Sequence, residues 1–190
     1  MGFPARHAAL RSRLLASLAT VFLLAMAGPP SAVATQTCPS ASATPTQAGK
    51  RAIVRATLCT INAERGRHGL DPLRLNARLS RAAAAHAGDM ERRDYFSHDS
   101  LGGGSFVDRI RSTGYLKGAR SWTVGENLAW GSHGRSSPLT ITGMWMNSAG
   151  HRANILSPTF REIGIGVAYG APVASSASAA TYATDFGARR

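Results

Sequence analysis

Val124-Gly125-Glu126-Asn127-Leu128-Ala129-Trp130 is an apolar run with a single carboxylate near its centre. Its alternation reads as a β-strand from Thr123 to Trp130, with Gly125 and Gly131 as punctuation. Glu126 is the informative residue. Buried without a partner it would cost several kcal/mol, so its side chain requires a cleft, a cation or hydrogen-bond donors.

Outward from this strand, the pattern alternates between helical and extended. Downstream, Ser137-Pro138 is a cap followed by proline at the first helical position, and Leu139, Thr142, Trp145 and Met146 predict one helix running to Gly150. Two strands follow, Arg161 to Tyr169 and Thr181 to Phe186, separated by a Gly/Ala/Ser/Pro loop. Upstream, Ser105 to about Thr113 predicts a short helix with Phe106, Val107 and Ile110 inward, preceded by the loop Gly102-Gly103-Gly104. Asn76 is the N-cap of a helix whose Leu79, Ala82, Ala83, His86 and Met90 share one face. Alanine dominates that face, which reads as close-packing surface with His86 as a hydrogen-bonded core histidine. A first helix starts at Lys50, carries Ile53, Val54, Thr57, Leu58 and Ile61, and stops at Gly66 and Gly69. Helices interleaved with short strands, without repeated βαβ units, predict an α+β fold with an antiparallel sheet covered by helices on both sides.

The 190 residues, 44% of them hydrophobic, suffice for one core and exclude two large domains. Arg6, Arg11 and Arg13 precede an apolar run from Leu14 to Ala27, too short to span a bilayer, and Ala32-Val33-Ala34 is a small-x-small cleavage pattern. Residues 1–34 are therefore expected to be a signal peptide, 35–49 a Ser/Thr/Pro-rich tail and 50–190 the folded domain. No later segment could span a membrane, so the expected product is secreted and extracellular. Cys38 and Cys59 in an oxidising compartment predict one disulfide, tying the tail to the first helix.

The chain carries 22 basic and 10 acidic residues, and 20 of the basic ones are arginine. Without residues 1–34 the balance is 19 to 10. From Arg109 to Arg190 nine basic residues face only Glu126, Glu162 and Asp185. Such a surface attracts anionic polymers or lipid headgroups in a salt-dependent way. Export and the lack of an aromatic-interleaved basic run argue against nucleic acid.

Familiar catalytic signatures are missing: no His-Glu-x-x-His, Cys-x-x-Cys or Gly-x-Ser-x-Gly occurs. Gly164-Ile165-Gly166-Val167-Ala168-Tyr169-Gly170 has the wrong spacing for a dinucleotide fingerprint and leads into a polar loop. The titratable groups that remain are Glu126, His98 and His151. The histidines lie 28 and 25 residues from the acid, and spacing alone does not bring them together. His68 and His133 read as turn or exposed residues, and Asn127, Arg152 and Asn154 as loop braces.

A longer set of motifs runs from about Leu58 to Gly187: Asn62-Ala63-Glu64-Arg65, Phe96-Ser97-His98, Gly125-Glu126-Asn127-Leu128-Ala129-Trp130-Gly131, the segment Trp145-Met146-Asn147-Ser148-Ala149-Gly150-His151-Arg152-Ala153-Asn154-Ile155-Leu156, Ile163-Gly164-Ile165-Gly166-Val167 and Asp185-Phe186-Gly187. In these the sequence resembles the CAP superfamily of cysteine-rich secretory, antigen 5 and pathogenesis-related 1 proteins (SCP domain), in its bacterial secreted branch. The resemblance implies a three-layer α-β-α sandwich with a small central antiparallel sheet, and a cleft where His98, Glu126 and His151 meet. Ser148 stands where eukaryotic members usually place a second glutamate, Tyr182-Ala183-Thr184 where bacterial relatives often show Trp-Thr-Gln, and Ala149 in place of a frequent proline.

Two imidazoles and one carboxylate would offer three N/O ligands to a divalent metal, zinc most of all. The same three groups without metal would form a His-Glu-His hydrogen-bond network. The function expected first is a secreted binding or interaction module, with a lipid or anionic cell-wall polymer as ligand and the chain acting as a monomer. The alternative is a metal-dependent, protease-like hydrolase with Glu126 as general base.

Overall fold

The computed structural model describes residues 37–173 and 178–190. The expected signal peptide, its cleavage site and the middle of the Gly/Ala/Ser/Pro loop lie outside the described residues.

The elements are α1 (Pro45–Ala48), α2 (Lys50–Arg67), β1 (Arg74–Leu75), α3 (Ala77–Arg92), α4 (Phe106–Ser112), β2 (Trp122–Ser132), a 3-10 turn (His133–Ser136), α5 (Pro138–Met146), α6 (Ala149–Ile155), β3 (Glu162–Tyr169) and β4 (Ala179–Arg189). The sheet order is β1-β3-β4-β2. The α+β class and the three layers are as expected, with one correction. β2 and β3 pair antiparallel to β4, but β1 adds two residues parallel to β3, so the sheet is mixed. Asn62 of α2 makes this strand by gripping Leu73 at both backbone groups, which lays Arg74 and Leu75 along β3. A two-residue exposed strand held from another element has no periodicity of its own to read.

Alternation along the strands sorts the core. Ile163, Ile165, Val167, Tyr182 and Phe186 pack with Ile53 and Ile61 of α2, Ile141 and Trp145 of α5, and Ile155 of α6. On the opposite face, Leu128, Ala168 and Ala183 meet Ala83, Ala87 and Met90 of α3. The alanine face of α3 does lie close: a Cβ on Gly164 would stand 2.0 Å from the Leu79 carbonyl carbon, and one on Gly166 2.3 Å from that of Ala83. Glycine in β3 and alanine in α3 are two halves of one close approach, and this explains the glycines that superficially suggested a nucleotide loop.

The ends of the helices follow local chemistry. Asn76 Oδ1 accepts from the N–H groups of Arg78 and Leu79, and Ser105 Oγ from that of Asp108. The single helix expected from Pro138 to Gly150 is two. α5 ends at Met146, Asn147 and Ser148 turn the chain, and α6 begins at Ala149. Gly125 and Gly131 are interior to β2 rather than its ends. Within the expected tail, residues 45–48 form α1, where Gln47 Oε1 accepts from the Thr44 N–H at 2.8 Å. The Cys38–Cys59 disulfide is present, and closing a loop of that size contributes roughly 3 kcal/mol in the chain-entropy account. The Leu139 N–H also donates to the Ala41 carbonyl, fixing the same segment against α5.

Candidate functional site

Because β2 is an edge strand, its centre is open on one side to whatever packs beside it. α6 fills that role through Asn154, whose Nδ2 donates to the Glu126 carbonyl at 3.2 Å and to Asn127 Oδ1 at 2.8 Å. Asn127 in turn donates to the His151 carbonyl at 3.0 Å. Two amides thus replace the missing neighbouring strand and place His151 beside Glu126's segment, which is the bracing role expected of Asn127 and Asn154.

The Glu126 side chain points to the α3 face and is 1% exposed. One oxygen accepts from His98 Nδ1 at 2.8 Å and the other from Arg109 at 2.7 Å. The partners that an acid inside an apolar strand requires are therefore an imidazole and a guanidinium. The bond to Glu126 raises the His98 pKa, outweighing partial burial. The His151 side chain is not bonded to the acid; burial lowers its pKa, and the neighbouring His98 lowers it further. Of the three residues, His98 and Glu126 are a bonded pair, while His151 is near enough to feel the His98 charge but makes no bond to the acid.

Two members of the site have no counterpart in the sequence reading. Arg109, on α4, binds the His98 carbonyl at 2.8 Å and Ser100 Oγ at 3.1 Å as well as Glu126, so one side chain fastens the 98–104 loop to the sheet. The second is Asp185, the direct cross-strand neighbour of Glu126 in the β2–β4 register. Apart from the facing carboxylate of Glu126, neither Asp185 oxygen has a hydrogen-bond partner among the described residues. Burial first, and the Glu126 charge next, push its pKa well above the usual carboxylate range. A second acid thus stands beside Glu126, supplied by β4 and not by α6. Ser148, at the position of the absent glutamate, is the residue before α6, and its carbonyl accepts from the Arg152 N–H.

A family model described as the cysteine-rich secretory protein (CAP) family matches residues 58–182. The chain belongs to this family. Among similar proteins, YkwD of Bacillus subtilis (strain 168), described as uncharacterized, is 43% identical over 105 residues, which is 55% of this chain and 38% of that protein. YlbC of the same organism, described as an uncharacterized membrane protein, is 34% identical over 106 residues, 56% of this chain and 29% of that protein. The chain thus spans well under half of the relatives it matches. An extracellular SCP-domain protein from Bacillus anthracis superposes with a TM-score of 0.58 at 28% identity, over 72% of this chain and 40% of that one. An outer surface protein of Borrelia burgdorferi shares the fold at a TM-score of 0.54 and 21% identity, over 68% of this chain and 87% of that one.

In this CAP-family chain the donors expected for zinc do not fit a three-ligand site as they stand. Both Glu126 oxygens are engaged, and one lies 2.7 Å from a guanidinium that a metal cation would have to displace. Among the described residues no group of three or more His, Cys, Asp or Glu is arranged to hold a metal ion. His86 behaves as expected of a core histidine: it is buried, Nε2 meets the Ser97 carbonyl at 2.8 Å, and burial lowers its pKa. Among the described residues no helix is long and apolar enough to cross a membrane.

Sequence signals for the two missed residues existed in principle. Glu126 called for a cation, and Arg109 adjoins the inward Ile110. Asp185 breaks an otherwise apolar and hydroxylic strand. Asp185 could not be assigned without the β2–β4 register, nor Arg109 without knowing that α4 packs beside Glu126.

Proposed function

We propose that this CAP-family chain is a secreted binding module that holds an acidic amphiphile of the cell envelope at the His98–His151 cleft. The observation that carries this reading is the double engagement of Glu126. With one oxygen on His98 and the other on Arg109, and a side chain 1% exposed, it acts as a buried brace. A general base needs an oxygen within reach of its water, and hydrolysis through Glu126 has none to use. His98 is different: its side chain is 52% exposed, and its pKa is raised. An imidazole that readily keeps its proton suits an anionic headgroup. Phe96 and Leu101, which flank His98 in sequence, are 45% and 54% exposed and offer apolar contact to a chain. The extracellular description of the Bacillus anthracis neighbour agrees with export.

Palmitate titration of the purified protein tests this reading. Binding should be tighter at about pH 6 than at about pH 8, since His98 loses its proton as pH rises through its raised pKa. His98→Ala should weaken it about tenfold at the lower pH. Equal affinity in wild type and His98→Ala overturns the proposal. Zinc is expected to leave the melting temperature unchanged; a zinc-dependent rise abolished by His98→Ala and His151→Ala would restore the three-ligand reading.

A further inference from the structure

A groove of about 660 Å³ opens at the end of the sheet where β2 starts and β4 finishes. Its volume lies within the roughly 300–1,000 Å³ of ordinary ligand sites. It is separate from the His98–Glu126 pair: Trp122, at its edge, precedes Glu126 by four strand residues, about 13 Å along the strand. Arg74, Arg161, Arg189 and Arg190 line it, and among the described residues Glu162 is the one acidic side chain there.

That acid is already satisfied. One Glu162 oxygen accepts from Asn76 Nδ2 at 2.7 Å and the other from the Tyr115 hydroxyl at 2.8 Å. None of the four arginines has a carboxylate within ion-pairing distance among the described residues, whereas Arg67, Arg92, Arg93, Arg109 and Arg111 each do. Two of them are pre-positioned. Arg189 lies over the Tyr115 ring at 5.0 Å, and Arg161 is tied to the Pro158 and Phe160 carbonyls. Guanidinium groups held in place lose less freedom on binding an anion, and each can meet a carboxylate or phosphate with two parallel N–H bonds.

The remaining lining is not that of a simple ion trap. Trp122 is 43% exposed and pairs directly with Arg189 across the β2–β4 ladder, so ring and guanidinium project from the same side of the sheet. Ser121, Thr123 and Thr159 add hydroxyls. An exposed indole face against the C–H face of a pyranose, hydroxyls for sugar hydroxyls and unpaired arginines for acid groups together describe a carbohydrate carrying negative charge. A single-stranded nucleic acid would want several aromatic platforms for successive bases, and among the described residues only one aromatic residue lines the groove.

We propose that this groove binds an acidic polysaccharide, a sugar chain bearing carboxylate or phosphate groups. The proposal rests on the reading of the chain as a secreted envelope-binding module, but not on the His98 cleft or its ligand. One protein would then hold two envelope components, an amphiphile at the side of the sheet and a glycan at its end.

The test is calorimetric titration of the purified protein with polygalacturonate, phosphomannan, neutral dextran and an oligothymidylate of matched length. Polygalacturonate or phosphomannan should bind, with affinity falling at least tenfold between about 0.05 M and about 0.5 M salt, and dextran should not. Which acidic glycan binds tells carboxylate from phosphate. Arg161→Ala and Arg189→Ala should each weaken it about tenfold, and Trp122→Ala should do so at both salt concentrations. Palmitate binding should stay at the wild-type value in all three, which separates failure of the groove from failure of the His98 site. No binding of either acidic glycan, indifference to Trp122→Ala, or tighter binding of the oligothymidylate would each overturn the proposal.

Discussion

The two faces of the sheet are filled in opposite ways. Toward α2, α5 and α6 the contacts are large and apolar, with Trp145 edge-on to Tyr182 at 6.5 Å and Phe160 stacked on Phe186 at 5.5 Å. Toward α3 the strands carry glycine and alanine, which let the helix backbone come close, and the buried polar groups Glu126, Asp185 and His86 sit on this same side. One face holds the fold by area, the other adds a few charged bonds. The lesson is positional: Glu126, on the edge strand, lies beside a loop and helix that supply an imidazole and a guanidinium, whereas Asp185, on the interior strand β4, is pushed toward its neutral form.

The contrast can be broken most severely on the apolar face. Trp145→Ala removes a fully buried indole and its Nε1 bond to the Leu128 carbonyl, and should cost about 3–5 kcal/mol in chemical denaturation while His98 keeps its raised pKa by NMR titration.

On the polar face, Arg109→Ala leaves Glu126 buried with a single partner and releases the 98–104 loop. It should cost about 3 kcal/mol, and adding Glu126→Gln should recover part of that loss in a double-mutant cycle. If the two losses simply add, the pair is not coupled and the charge-matching account is wrong.

Asp185→Asn should move stability the other way, by about 1–2 kcal/mol at pH 7. An acid whose folded pKa is raised binds more protons folded than unfolded, so it destabilises increasingly as pH climbs above about 4, its unfolded value. An amide removes that penalty and offers an N–H to Glu126. The gain should be small near pH 4 and grow toward neutrality; a gain independent of pH would point to packing instead.

The smallest effect belongs to His98. Its folded pKa is raised, so its stabilising contribution is complete below about pH 6.5 and disappears as pH rises through the folded value. Being half exposed, it should amount to under about 1 kcal/mol, visible as a slight fall in melting temperature from pH 6 to pH 8 that His98→Ala abolishes.

The primary sequence alone determined the helices whose caps and periodicity are local. Asn76 caps α3 as read, α4 forms where its short apolar pattern placed it with Ser105 as its cap, and the alanine face of α3 is the close-packing surface it resembled. It also determined that Glu126 needed company and that Cys38 and Cys59 would join. The family motifs named His98 and His151 as that company, which spacing could not do. What only the tertiary structure decided depends on pairing across distance: the β2–β4 register that sets Asp185 against Glu126, the reach of Arg109 from α4, and the short parallel β1 held by Asn62. Local sequence fixes a residue's backbone preference and the face it lies on, whereas a charge acquires its partner only when separate segments pack, because the attraction acts over a few ångströms of space and is blind to the length of chain between.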